Sequence, residues 1–184
     1  MMKVMKKSQA GFTLAEMMIM LVIFAVIFTL SLVNFRRGER LEAFRLATMA
    51  VGDYLRQAQT AALTGTGTVA NMSQSYGVYF DLSAAGQYLF FKDDDNNHLY
   101  GVGLDEIVET VALPDEITLS ALTNNGPVSI VFEPPKPNIY ISAGANPYQL
   151  AEIRLARQYF PNKEGLVSLN GITGQVSAEL VDVP

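Results

Sequence analysis

The chain has 184 residues, enough for one membrane segment and one modest globular domain, and 49% of them are hydrophobic. With no cysteine and a single histidine, His98, it excludes disulfide frameworks, thiolate metal sites and histidine-rich metal centres. The 13 basic residues include Lys3, Lys6 and Lys7, so after Gly11 ten face 18 acidic ones, a formal −8 that disfavours phosphate and nucleic acid as partners.

Residues 1–10, "MMKVMKKSQA", are short, basic and polar. The next stretch, "GFTLAEMMIMLVIFAVIFTLSLVNF" (11–35), is almost wholly apolar. Met17 to Phe35 is 19 residues without a charge, and counting from Phe12 gives 24, interrupted only by Glu16. As a helix the longer run would reach about 36 Å, enough to cross a hydrocarbon core of about 30 Å. The expectation is a transmembrane helix. An ordinary secretory signal would be shorter, would not hold an acid, and would end in a small-x-small site where this chain has "NFRRGER".

Beyond Phe35 the helical pattern continues. Leu41, Phe44, Thr48, Val51, Leu55, Ala58 and Ala62 recur at alternating steps of three and four, while Arg40, Glu42, Arg45, Asp53, Arg56 and Gln57 fall on the other faces. No proline lies between Phe12 and Leu63. This predicts one helix of about 50 residues, half suited to lipid and half to a protein surface. "TGTGTVANMSQS" (64–75) would end it.

The rest reads as β-structure. "YGVYFDL" (76–82) and "QYLFFKD" (87–93) flank the turn signal "SAAG" and predict a hairpin. Further strands are expected at 109–113, 117–122, 128–132, 139–142, 152–157, 166–169 and 175–179, punctuated by Pro114, Pro127, "PPKP" (134–137), Pro147, Pro161 and Gly171. The expected architecture is α+β: a long amino-terminal helix, transmembrane in its first half, packed against an antiparallel sheet or two small ones.

The stretch "GFTLAEMMIMLVI" resembles the amino-terminal signature of type IV pilins and of the pseudopilins of type II secretion. The resemblance implies that an inner-membrane prepilin peptidase cuts after Gly11 and methylates the new terminus at Phe12. It also makes Glu16 the family glutamate used in assembly. Physical reasoning agrees. An acid at the centre of a membrane helix costs about 2.5–3.5 kcal/mol, less near an end, so something should offset it. Cleavage would create an α-amino group with a pKa of about 8, and methylation would keep its charge. That cation on one subunit can meet Glu16 of another.

The domain scheme that follows is a leader at 1–11, an assembly helix at 12–35, its amphipathic continuation at 36–63, a linker at 64–75 and a β-rich head at 76–184. The later stretches "RLATMAVGDYLRQAQTAALTG", "YGVYFD", "GQYLFFKDDDNN" and "VSLNGITGQVSA" are similar to the H-type minor pseudopilins and their FimT-like pilin relatives. Many such pilins carry a carboxy-terminal disulfide, which a chain without cysteine cannot form. The implied function is a structural subunit, of the minor class, in a pilus or secretion pseudopilus. Its partners would be other pilin subunits and prepilin peptidase, with the inner membrane holding it before assembly and the carboxy-terminal part outside the cytoplasm. A major subunit, and a single-pass anchored binding or sensor protein, are the alternatives. Neither an enzymatic activity nor a cofactor is expected.

Two other features need weighing. DNA binding by the carboxy-terminal strands would require an exposed basic patch, but "GITGQVSAELVDVP" (171–184) has no lysine or arginine. "KDDDNNH" (92–98) spaces Asp93, Asp95 and Asn97 like alternating calcium ligands. Yet His98 stands at the sixth position from Asp93, where glycine is needed, and Leu104 at the twelfth, where glutamate is needed. A solvated turn is the preferred reading there, with no metal expected.

Overall fold

The computed structural model describes residues 11–64, 74–135, 138–143, 146–147 and 149–183. The leader residues 1–10, most of the stretch expected to end the helix (65–73) and part of "PPKP" lie outside the described residues. The architecture is α+β, as expected. A helix, α1, runs from Leu14 to Thr64, and among the described residues ten strands follow it. The chain divides after Leu41 into two units, each considered separately.

In the first unit, Leu14–Leu32 forms 19 helical residues of mean hydropathy 2.4, with none of them buried in the chain itself. At 1.5 Å per residue that is about 28 Å, long and apolar enough to cross a bilayer.

The second unit contains the rest of α1 and two antiparallel sheets. Strands β1 (Ser75–Phe80), β2 (Gln87–Asp93), β3 (Glu106–Ala112), β5 (Val128–Glu133), β6 (Asn138–Ala143) and β7 (Asn146–Pro147) make one sheet, ordered β3-β2-β1-β5-β6-β7. Strands β4 (Ile117–Leu122), β8 (Leu150–Arg157), β9 (Lys163–Asn170) and β10 (Val176–Asp182) make the other, ordered β10-β9-β8-β4.

One core joins all three elements. On α1, Phe44, Thr48, Val51, Leu55, Ala58 and Ala62 of the expected stripe are buried, while Leu41 at its start is half-buried and Ala47, outside the three-and-four spacing, is buried with them. Alternate residues of each sheet meet it: Val78, Phe80, Tyr88, Phe90, Ile130 and Phe132 from the first, Leu119, Ile153, Leu155, Val167 and Leu169 from the second. In the second sheet the opposite face is half-exposed and carries Glu152, Arg154, Glu164 and Ser168, as a sheet with one buried side requires.

Where strand limits differ from expectation, local chemistry explains the change. β1 ends at Phe80 because Asp81 caps a short 3-10 turn at Leu82–Ala84, its carboxylate accepting from Ser83 N at 2.8 Å. β3 starts at Glu106, earlier than expected, and pairs across a register shift between Phe90 and Phe91. As an exposed edge strand it lacks the apolar alternation that marks a strand in sequence. β9 starts at Lys163, which pairs with Asp182 of β10.

The helix approaches β9 closely at one point. A Cβ added to Gly165 would lie 2.2 Å from the Thr48 hydroxyl and 3.1 Å from its methyl. Thr48 cannot swing aside, because it is buried, β-branched and donates to Phe44 O at 3.0 Å. Gly165→Ala is therefore expected to destabilise the head by about 1–3 kcal/mol through overpacking. Adding Thr48→Ala should recover part of the loss, and a double-mutant cycle from urea unfolding would read the coupling. Strict additivity would show that the two residues do not touch.

Sheet one is covered on its other face too. The connection between β2 and β3 folds back over it, stacking His98 on Tyr140 with ring centroids 3.7 Å apart. It also sets Tyr100 against Tyr79 and Phe91 and hydrogen-bonds Tyr100 N to Ser129 Oγ at 3.0 Å. Gly77 leaves room for this arrangement, since a Cβ there would come within 2.8 Å of the Phe91 ring and of Ile130 O.

Candidate functional site

The first site is the start of α1. Gly11, Phe12 and Thr13 precede the helix, which begins at Leu14. What fixes that start is a reciprocal cap. Glu16 N donates to Thr13 Oγ1 at 3.2 Å, and Glu16 Oε2 accepts from Thr13 N at 2.9 Å and from Thr13 Oγ1 at 3.0 Å. The pattern T-x-x-E satisfies two backbone donors that a helix start would otherwise leave open. A carboxylate in the first turn also complements the positive end of the helix dipole. So Glu16 has a role within its own chain, in the same turn that the Gly11–Phe12 junction adjoins. Both bonds fall on Oε2, and among the described residues none falls on Oε1. Phe12 and Glu16 are both exposed.

The second site is the β2–β3 connection. Asp93 closes β2 and Asp95 follows it, while Asp105 lies just before β3. Their carboxylates bring one oxygen each to within 4.8 Å of one another. Asp105 holds the connection together, accepting from Asp94 N at 3.1 Å and from Gly101 N at 2.7 Å. Asp95 accepts from Asn97 N at 3.1 Å and from Asn97 Nδ2 at 2.7 Å, and Asn97 Oδ1 accepts from Leu99 N. Asn97 thus orients Asp95, and Asp105 completes the acidic trio.

Asp93 differs from the other two in being buried, at 2% exposure. Its Oδ2 accepts from His98 N at 3.1 Å, but Oδ1 has no hydrogen-bond partner among the described residues. Burial pushes its carboxyl above the ordinary aspartate value, with Asp95 and Asp105 acting in the same direction and the His98 N–H opposing them.

Residues 6–32 match the family model of the prokaryotic N-terminal methylation motif. That is the type IV pilin-like leader and apolar helix, and it supports a place for this chain among the pilins and pseudopilins. The match spans Gly11, Phe12, Thr13 and Glu16 together with the apolar span Leu14–Leu32. It points to a structural protein, with membrane anchoring and other pilins implied by the leader. No curated protein and no solved structure matches the chain.

The structure brings Thr13 and Asp105 into the two sites, and neither is among the candidate residues of the sequence analysis. Thr13 was detectable, since T-x-x-E ahead of an apolar run is a capping signal. Asp105 lies twelve positions from Asp93, and only the folding back of the connection joins them.

Proposed function

We propose that this chain is a minor structural subunit of a type IV pilus or a type II secretion pseudopilus, related to the H-type pseudopilins and FimT-like pilins. In this reading residues 1–11 are the leader and 12–35 the assembly helix, continued to 63; a linker at 64–75 leads to the head at 76–184. Prepilin peptidase cuts between Gly11 and Phe12 and methylates Phe12. The leader faces the cytoplasm and the head lies outside it.

One observation carries the reading. The Gly11–Phe12 junction is not helical, and the helix starts two residues later at a cap that contains the single acid of the apolar run. A peptidase must bind its substrate bond in an extended form, and the cap stops the helix short of that bond. Once cut, the chain carries a cation at Phe12 and an anion at Glu16, both at one end of an apolar rod. In a bundle of such rods the amine of one subunit neutralises the carboxylate of another. A misregistered neighbour leaves both charges buried and unpaired, an error worth several kcal/mol. Charge pairing therefore selects register, while the apolar faces supply contact area.

Mass spectrometry of protein extracted from membranes of a host with a pilus system tests this. The expected mature chain begins with N-methylated Phe12. An uncut terminus, or one beginning elsewhere, would count against the pilin reading and in favour of a plain anchored protein.

A further inference from the structure

We propose that Asn125, at the Asn125–Gly126 junction between β4 and β5, is a self-modification site that loses ammonia with water as the only co-reactant. The fold withholds the same chemistry from Asn170–Gly171. The inference is independent of the assembly role of the helix.

The chain contains two Asn-Gly dipeptides. Such a pair can close on itself. The glycine amide nitrogen, once its proton is lost to solvent base, attacks Cγ of the asparagine. The N–Cγ bond forms, the Cγ–Nδ2 bond breaks, and ammonia leaves with a proton from water. Water then opens the cyclic imide. Attack at Cγ breaks its bond to the nitrogen and gives aspartate. Attack at the main-chain carbonyl carbon breaks that carbon's bond to the nitrogen and gives isoaspartate, with an extra methylene in the backbone. Glycine favours ring closure because it has no Cβ to crowd the nitrogen or restrict the turn. By sequence alone the two dipeptides are equivalent.

In the fold they are not. Gly171 N donates to Gln149 O at 2.7 Å, which ties up the nucleophile. Asn170 Oδ1 accepts from Ile172 N at 2.9 Å and Thr173 N at 3.0 Å, so the side chain is held as well. The Asn170 backbone donates to Gln175 O at 3.0 Å and accepts from Gly174 N at 2.8 Å. Closing a ring there would break bonds on both sides of the junction. Asn125 differs at each point. Its side chain is exposed and makes no hydrogen bond among the described residues. A Cβ added at Gly126 would meet nothing within 4 Å, so the junction is uncrowded. Asn124 and Asn125 stand at φ 62° and 54°, conformations that L residues avoid. Thr123 Oγ1 fastens the start of the turn by accepting from Glu152 N at 2.7 Å, two residues before the reacting side chain. The turn joins β4 of one sheet to β5 of the other, so the product places a new carboxylate, or a longer backbone, at that joint.

The test ages the full chain in uncharged detergent at mildly alkaline pH and follows both dipeptides by peptide mass spectrometry. Electron-transfer fragmentation separates aspartate from isoaspartate. Asn125 should convert at least about ten-fold faster than Asn170, because each hydrogen bond that must break raises the barrier at 170. In guanidinium chloride the ratio should collapse towards unity, since the bonds that protect Asn170 are gone. Gly126→Ala puts a Cβ into open space at an extended φ of −113°, so it should fold normally. It should slow the loss at 125 at least about ten-fold by crowding the nitrogen. Equal rates at the two sites in the folded chain would overturn the proposal, as would faster loss at 170. So would an Asn125 that reacts only in guanidinium chloride, a ratio that survives there undiminished, or a Gly126→Ala chain that reacts as fast as wild type.

Discussion

Glu16→Gln is expected to enter the membrane and be cut at Gly11, yet to be incorporated into filaments at least about ten-fold less than wild type. The substitution separates the two roles that the geometry gives this residue. A glutamine can still accept from Thr13 N, so the reciprocal cap survives and the helix starts where it did. What disappears is the charge. If Glu16 serves only to start the helix, Gln should assemble as well as Glu.

The complementary variant, Thr13→Ala, removes the hydroxyl that receives Glu16 N but keeps the carboxylate. It should weaken the helix start by about 0.5–2 kcal/mol and leave assembly largely intact. Immunoblotting of sheared filaments, normalised to membrane-bound subunit, reads both. Assembly lost in Thr13→Ala and retained in Glu16→Gln would reverse the assignment. Adding leucine at 16 would sharpen the result, because it removes cap and charge while improving insertion energy.

The pair also shows where sequence reading reaches its limit. The carboxylate in the apolar run was visible as an anomaly, and the resemblance gave it a purpose between subunits. Its bond to Thr13 within the chain is local and just as visible, but a satisfied cap raises no anomaly to explain. The head behaves in the same way. The buried stripe of α1 from Phe44 to Ala62 was readable because helical spacing is a one-dimensional signal. Hairpin β1–β2 was readable because its partners are neighbours in sequence.

The sequence leaves one sheet or two small ones open, and does not say which strands join which. That depends on Ile117 pairing with Arg157, forty residues away, which no local pattern encodes. Edge strand β3 begins at Glu106 and not at 109, and its exposed residues give no apolar alternation to mark that start. Asp93 was expected in a solvated turn. Its burial follows from Tyr100 and His98 packing back over β1, β2 and β6, a tertiary event.

Phe44→Ala should cost the head about 3–5 kcal/mol of stability. Phe44 is fully buried where α1 enters the core, among side chains of the sheets that it meets. Truncation removes the transfer energy of the ring and leaves a cavity that a helix pinned by its other buried residues cannot close. Against a typical total of about 5–15 kcal/mol, that is a large fraction, and the melting temperature should fall by about 10–15 °C. Leu46, two positions along the same helix, is 57% exposed, so Leu46→Ala should change stability by no more than about 0.5 kcal/mol. Both residues are apolar, and only the helical phase distinguishes them. Urea unfolding of the full chain in detergent, followed by tyrosine fluorescence in a protein with eight tyrosines and no tryptophan, provides the comparison. Equal losses at the two positions would mean that α1 does not seat this face on the sheets. A stable Phe44→Ala head would mean that the sheets hold together without the helix, and that the long helix serves the membrane and the filament alone.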